Sequence, residues 1–340
     1  MQASIRLHGK VFLQDSSTKN FSIRMRPILV SLISISWLLG ISSCHRERSH
    51  SHPKAVPVKE AGKLELKLMS FNVRYESADD LGERSWHARI IGVVKMLRSQ
   101  QPDIFGVQEA QHGQAADLWA SMPDYEFYGK GRADGGKAGE YAGIFYRKDR
   151  FELDPSEAGT FWLSATPEVP GSMTWGNEFT RVVTWLRLID RTTGRGLYVY
   201  NTHWDHRNQP SREQAARLVA QRIDSRKMKQ EPVVLMGDFN STETNPGLLY
   251  LTGKSAMLAG SKQVWKNGLM DTFQYIHASE PDRRTLHFWK GNRDGRLKVD
   301  HILVSKNARV LGAAIVSKDR PLVSDHFPVT SRVVFPSKKH

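Results

Sequence analysis

Two short runs, Gly237-Asp238-Phe239-Asn240 and Ser324-Asp325-His326, put oxygen and imidazole groups where metal-assisted hydrolysis uses them. Val233-Val234-Leu235-Met236 is an apolar run of strand length and GDFN follows at once, so a buried strand would deliver a carboxylate and an amide to a cleft. Asp238 and Asn240 stand two apart, and on an extended segment both side chains leave on one face. That suits an Asp that orients or deprotonates water beside an amide that donates to the water or to a phosphate oxygen. The plan repeats upstream, where Asp103-Ile104-Phe105-Gly106-Val107-Gln108 ends on Glu109 and Tyr198-Val199-Tyr200-Asn201-Thr202 ends on His203. Hydrolysing a phosphoester takes a cation to screen the phosphate oxygens, a deprotonated water, and stabilisation of the leaving oxygen. Glu109 is the first candidate ligand, because Mg²⁺ takes oxygen ligands, keeps several waters and needs only one or two protein carboxylates. His203, spaced two from Asp205, is suited to donate to a developing phosphorane oxygen. Asp300-His301 and Asp325-His326 complete the set, since an Asp that holds a His fixes its tautomer and raises its basicity. The chemistry these groups imply is divalent-metal hydrolysis of a phosphoester.

The elements that must position them are legible from periodicity. Leu64, Leu66 and Leu68 alternate with charged residues and lead into a strand through Val73. Ile90, Ile91, Val94 and Leu97 predict a helix over Trp86–Ser99, with a second helix near Gln114–Ser121. Ser211 with Gln214 resembles a capping box opening a long helix to about Lys229, and a short helix follows Asn245-Pro246. Strands are expected over Tyr141–Arg147, Phe151–Phe161, Val182–Asp190, Leu197–Thr202, Lys298–Val304, Arg309–Ser317 and Val329–Phe335. Mixed connections imply an α/β sandwich of four layers, two packed mixed β-sheets flanked by helices, forming one catalytic domain over 63–340. Phe161-Trp162 and Met173-Thr174-Trp175 flank a Pro/Gly-rich stretch; in a two-sheet sandwich such aromatics most often fill or cover the core, and the alternative is a rim where bases or sugars stack.

The chain has 340 residues, 39% apolar and 25% charged, enough for a substantial core. Its formal charge is +14, and +10 remains without residues 1–43. A basic surface suits polyanions such as nucleic acid, phosphorylated head groups or anionic membrane, or it serves solubility alone. One cysteine, Cys44, excludes a disulfide framework and a Cys-rich zinc site. Arg24 and Arg26 precede an apolar stretch from Ile28 to Gly40, followed by Ile41-Ser42-Ser43-Cys44, a charged, then apolar, then small-residue order that describes a secretory signal. Ile-Ser-Ser-Cys also resembles the bacterial lipobox, in which the Cys is lipidated. Residues 1–44 are therefore expected to be a lipoprotein-type signal with translation starting at Met1 or Met25, and 45–62 a polar, flexible tether. Export, membrane attachment through Cys44 and a monomer with no protein partner are the corresponding expectations.

Ser70-Phe71-Asn72-Val73-Arg74, the Asp103–Glu109 run, Tyr141–Arg147, Asn201–His206, Gly237–Asn240, Val299–Ser305 and Ser324–Val329 occur in the order and approximate spacing of the endonuclease/exonuclease/phosphatase superfamily, the DNase-I-like fold. Thr285–Gly291 resembles the T-x-H-x-F-x-G segment of a bacterial branch of it. The resemblance runs from about Leu64 to Val334. It implies a Mg²⁺ (or Mn²⁺) site with Glu109 as direct ligand, Asn72 in the same site, and Asp325 assisting metal or leaving-group chemistry. His203 would contact the scissile phosphate, Asp238 with Asn240 would position the attacking water, and His326, oriented by Asp300, would touch the phosphate. Arg181 aligns with a phosphate-facing Arg. Trp204, where smaller aliphatics are usual, and Arg207-Asn208-Gln209-Pro210, in place of a Gly-containing turn, depart from the pattern and are expected beside the cleft. Substrates implied are phosphoesters: a small phosphate ester or phospholipid head group, or nucleic acid under the alternative of a nuclease, including a 3′–5′ RNA exonuclease. A catalytically inert binding protein is the remaining alternative.

Overall fold

Every second residue at the start of the first strand is leucine, and that alternation decides its placing. β1 (Leu64–Asn72) buries Leu64, Leu66 and Leu68, exposes Glu65 and Lys67, and is covered on both faces from Leu68 onward. The computed structural model describes residues 62–318 and 321–337. Cys44, the expected signal (1–44) and the expected tether, apart from its last residue, lie outside the described residues.

After β1 come α1 (Trp86–Gln100), β2 (Ile104–Ala110), α2 (His112–Ser121), β3 (Tyr125–Tyr128), β4 (Tyr141–Arg147) and β5 (Phe151–Trp162). The second half holds β6 (Val182–Asp190), β7 (Gly196–His203), α3 (Gln209–Ser225), β8 (Val233–Asp238) and α4 (Pro246–Leu251). A small pair, β9 (Ala256–Leu258) and β10 (Ser261–Gln263), follows. Then come β11 (Met270–Asp271), α5 (Thr272–Ile276), β12 (Asp300–Val304), β13 (Arg309–Ile315) and β14 (Val329–Phe335). Two mixed six-stranded sheets result, ordered β13-β14-β1-β2-β4-β3 and β11-β12-β8-β7-β6-β5. They pack through Leu64, Leu66, Ile104 and Ile144 of the first against Leu186, Val199, Val234 and Ile302 of the second. Outside the first sheet, Val93, Leu97 and Leu118 of α1 and α2 cover Met69, Phe71 and Phe105. Outside the second, Ala216, Val219, Ile223 and Leu251 of α3 and α4 cover Tyr198, Tyr200 and Leu235. Each of these fully buried large side chains contributes about 1.5–3 kcal/mol. The architecture is the four-layer DNase-I-like sandwich that the periodicity and resemblance predict.

Two details differ from the sequence reading. α3 begins three residues earlier than a Ser211 cap predicts and ends at Ser225 instead of near Lys229. It is capped by the Asn208 side chain, which accepts from the Ser211 N–H at 2.8 Å, with Pro210 in the first turn. Pro favours the first turn, where its missing N–H costs nothing, so Ser211 lies inside the helix instead of capping it. The strands β3 and β9–β11 are too short to show a period.

Between the sheets lies a buried polar bridge. Asn201 of β7 donates to the carbonyls of Val107 (2.9 Å) and Gly143 (2.7 Å) in the opposite sheet and accepts from Gln108 Nε2 at 2.7 Å. A Cβ on Gly106 would lie 2.6 Å from the Asn201 amide carbon, so the glycine makes room for the crossing. The bridge locks the sheets at the end where the cleft opens.

Candidate active site

Strand direction explains which residues meet there. β1 and β2 are parallel, as are β7 and β8, and their C-terminal ends carry Asn72, Glu109, His203 and Asp238. β4, β6, β12 and β14 run antiparallel to these neighbours. The same edge therefore receives their beginnings: Glu140 before β4, Arg181 before β6, Asp300 at the first position of β12, and Asp325-His326 before β14.

Asn72 ties the sheets together at this edge. Its Nδ2 donates to Glu109 Oε1 (2.9 Å) and to Asp238 Oδ2 (3.0 Å), one carboxylate from each sheet. Its Oδ1 accepts from the Arg74 N–H at 3.0 Å. Glu109 sits in a bulge, where β2 loses register with β4 between Val107 and Ala110, and adopts φ 64°. Arg74 and Asn240 also have positive φ, 59° and 45°. Left-handed backbone at non-glycine residues costs about 1–3 kcal/mol each and clusters where a side chain must be aimed. Asn240 closes the turn after Asp238: its N–H donates to Asp238 Oδ1 at 2.8 Å and its amide to the Trp204 carbonyl at 2.9 Å. It thereby holds the carboxylate that faces the cleft.

Two histidines face the same carboxylate oxygen, His203 Nε2 at 3.7 Å and His326 Nε2 at 3.8 Å from Asp238 Oδ2. Their environments push them apart. Burial opposes a charge on His326, but Asp300, whose Oδ2 lies 2.9 Å from Nδ1, together with Asp238 and Asp325 outweighs it and holds the ring well above the usual imidazole range. His326 is thus an imidazolium, its Nδ1–H on Asp300 and its Nε2–H toward the cleft. Burial, with Arg181, Arg132 and His326 nearby, holds His203 well below that range, as a neutral ring. Burial with the charge of Asp300 pushes Asp238 up to about 7, against the pull of His326. Burial raises Asp325, with Glu109 adding to the rise against His326.

These carboxylates are short of positive charge, and that is the fit test for a cation. Ligand atoms of Glu109, His203 and Asp238 lie within 4.8 Å of one another. Those of Asp238, Asp300 and His326 are as close, but an imidazolium has no lone pair to give a metal, so only the first group fits a cation. Hard oxygens from both sheets, two of them pushed toward the neutral form by burial, match the preference of Mg²⁺ or Mn²⁺ for oxygen ligands.

All nine residues singled out from sequence lie at this edge, and their partners add corrections. The Asp-His pair in contact is Asp300 with His326, not the sequence-adjacent Asp300-His301 or Asp325-His326. His301 instead bonds Asp271 (2.6 Å), Lys298 (2.6 Å) and the Ser241 carbonyl (2.9 Å) in a buried structural cluster. Asp205 accepts from the Arg207 and Asn208 N–H groups, both at 2.7 Å, and shapes the turn after β7. Trp204 is wholly buried, edge-on to Phe239 at 4.8 Å, so it backs the Asp238 turn from the core and does not line the cleft. Phe161 and Trp162 are likewise buried and form no rim.

Sequence reasoning passed over Glu140 and Arg132. Glu140 Oε2 lies 3.9 Å from His203 Nδ1, and its other oxygen pairs with Arg132 at 2.7 Å. Burial raises Glu140 to about 7, opposed by Arg132. Arg181 is 3% exposed; its Nη2 lies 3.1 Å from His206 Nδ1, while Nε and Nη1 have no hydrogen-bond partner. Burial, with Arg132 adjacent, lowers it to about 10, which leaves it cationic at neutral pH. A buried guanidinium with free donors beside His203 is a ready anion contact.

The fold and site define a class. The model of the endonuclease/exonuclease/phosphatase family matches residues 69–326, and the chain belongs to that family. Its solved relatives include an endonuclease/exonuclease/phosphatase from Bacteroides vulgatus, 30% identical, covering 79% of this chain and 98% of its own with a TM-score of 0.71. A mannosyl-6-phosphatase from Bacteroides thetaiotaomicron is 30% identical over 79% of this chain and 100% of its own, TM-score 0.69. The catalytic domain of human Nocturnin, 18% identical over 79% and 94% with a TM-score of 0.60, shares the fold. No curated protein matches the chain.

Proposed function

We propose that this protein is a divalent-metal-dependent phosphoester hydrolase whose substrates are small phosphate monoesters, sugar phosphates among them. The observation that carries the reading is Asn72 holding Glu109 and Asp238 from opposite sheets while the Asp300-held His326 faces the same Asp238 oxygen. Glu109, with Asn72 and Asp325 beside it, would hold Mg²⁺ or Mn²⁺, which when bound supplies positive charge to the phosphate oxygens. Asp238, poised near neutrality, accepts the proton of the attacking water, and Asn240 fixes its orientation. The His326 imidazolium donates to a phosphate oxygen through Nε2. His203 contacts the phosphate from the other side, backed by Glu140. Arg181 adds a fixed charge, and a terminal phosphate needs more charge compensation than a diester does. The mannosyl-6-phosphatase relative supports a monoester.

A nuclease is the second reading, favoured by the +14 charge of the chain. Export and lipid anchoring at Cys44, with 63–340 as the catalytic domain, are further parts of the proposal, supported by the Ile41–Cys44 pattern. The test is a panel of sugar phosphates, phospholipid, plasmid DNA and RNA oligomers, with and without chelator. Phosphate release from the sugar esters should vanish with chelator and in Glu109→Ala, Asp238→Asn and His326→Ala. Full activity in all three variants, or cleavage of nucleic acid without release from the small esters, refutes the monoesterase reading. Incorporation of a fatty-acid analogue that is lost in Cys44→Ala tests the anchor, and an unlabelled parent protein removes it.

A further inference from the structure

Just outside Arg181 the segment leading into β6 and the turn after β7 together build a small aromatic and polar wall. The Phe179 ring stacks on His206, centroids 5.5 Å apart at 28°, and the guanidinium carbons of Arg181 and Arg207 lie 5.9 and 5.7 Å from its centroid. Phe179 is nonetheless 37% exposed, unlike the buried Phe161 and Trp162. Arg207 also pairs with Glu178, which puts a donor fork and a carboxylate beside the aromatic ring.

His206 makes this wall short of acceptors. Arg181 Nη2 is 3.1 Å from its Nδ1 and Arg207 Nε is 3.2 Å from its Nε2. A neutral imidazole has one lone pair to offer, because its other nitrogen carries the proton. Both guanidinium groups cannot be satisfied by it, and Arg181 already has Nε and Nη1 without partners while 3% exposed. Arg181 and His203 line one small cavity with Arg132 and Glu140, so the unmet donors belong to a side chain that borders the same space as that ring.

Building on the monoesterase reading, we propose that Phe179, His206 and Arg207 form the leaving-group subsite, which takes a sugar ring attached to the scissile phosphate. The ring's C–H face rests on Phe179, its hydroxyls accept from Arg207 and donate to Glu178, and His206 yields its lone pair to whichever guanidinium the substrate leaves unmatched. Aromatic face plus adjacent planar donor and acceptor is the arrangement a polyol needs. A bare alkyl phosphate would gain nothing from it.

The experiment compares mannose 6-phosphate, adenosine 5′-monophosphate and ethyl phosphate in the wild type and in Phe179→Ala, Phe179→Leu and His206→Ala. Loss of an aromatic contact amounts to about three- to tenfold in affinity, so the kcat/KM ratio of mannose 6-phosphate to ethyl phosphate should fall by about that factor, through KM. The Leu variant keeps apolar bulk and guards against misfolding of the Ala variant. An unchanged ratio overturns the subsite, and a fall in the nucleotide's ratio with the sugar's unchanged reassigns the wall to a base. If the wild type hydrolyses none of the three esters, the monoesterase reading fails. The subsite is then judged by metal-free calorimetric titration with mannose 6-phosphate and ethyl phosphate. A Kd for the sugar phosphate alone weakened in Phe179→Leu supports it, and equal Kd values refute it.

Discussion

Asp300→Asn isolates the charge that arms His326. Asn is isosteric and can still accept from His326 Nδ1 through its amide oxygen, so the ring stays in place while the carboxylate charge 2.9 Å away disappears. Opposite charges at about 4 Å in an effective dielectric of about 20 attract by about 4 kcal/mol, and a neutral acceptor retains up to about half of a charge-assisted bond. The transition state should therefore lose about 2–4 kcal/mol, a fall of about 30- to 1000-fold in kcat. The pH profile carries the sharper signature. Activity rises as Asp238 ionises, and Asp300 is, after burial, what pushes Asp238 up to about 7. Activity falls as His326 loses its proton, and Asp300 is the neighbour that raises that ring. Removing one charge lowers both limits, so the whole bell moves to lower pH. Phosphate release from a sugar phosphate measured between pH 4 and 10 reads both effects. A kcat within threefold of wild type, or an alkaline limb that stays put, refutes the Asp300–His326 pairing as the source of the charge.

Mg²⁺ should raise the thermal midpoint of the wild type, by up to about 2.7 kcal/mol of stability at a hundredfold excess over Kd, and leave Glu109→Gln unmoved in differential scanning fluorimetry. Arg181→Lys should lower kcat/KM by tenfold or more even though charge is kept, because a lysine cannot reproduce the buried fork. Steady-state kinetics on the folded variant reads this. Gly106→Ala should cost about 1–3 kcal/mol in urea unfolding, since its Cβ would press on the Asn201 amide. Chelator should abolish turnover and Mn²⁺ should restore it alongside Mg²⁺.

The strand-end residues were legible because each follows an apolar run: Glu109 after Ile104–Val107, Asp238 after Val233–Met236. The main strands were legible for the same reason, and α1 was legible as a helix, although its buried face runs through Val93, Met96 and Leu97 and leaves Ile91 exposed. Glu140 was not, because it precedes its strand and ends a Gly-rich loop, so no run announces it. Only the antiparallel pairing of β4 with β2 brings its end to the cleft. The Asp-His dipeptides misled for a geometric reason. Neighbours along an extended chain point to opposite faces, so Asp300 cannot hold His301 but can hold His326, whose segment crosses from the other sheet. Trp204 misled because a residue next to a catalytic one on a strand end faces the opposite way, into the helix-covered core.

The last strand carries a consequence for how the enzyme comes into being. β14 fills the gap between β1 and β13, so the first of the described strands waits for the last of them before its edge is closed. His326 arrives only just ahead of that closing strand. A nascent chain that lacks β14 therefore holds part of the site from each sheet and, on the proposed function, the reactivity of neither. Catalytic competence begins when the carboxyl-terminal stretch docks, and proteolytic clipping there would silence the enzyme.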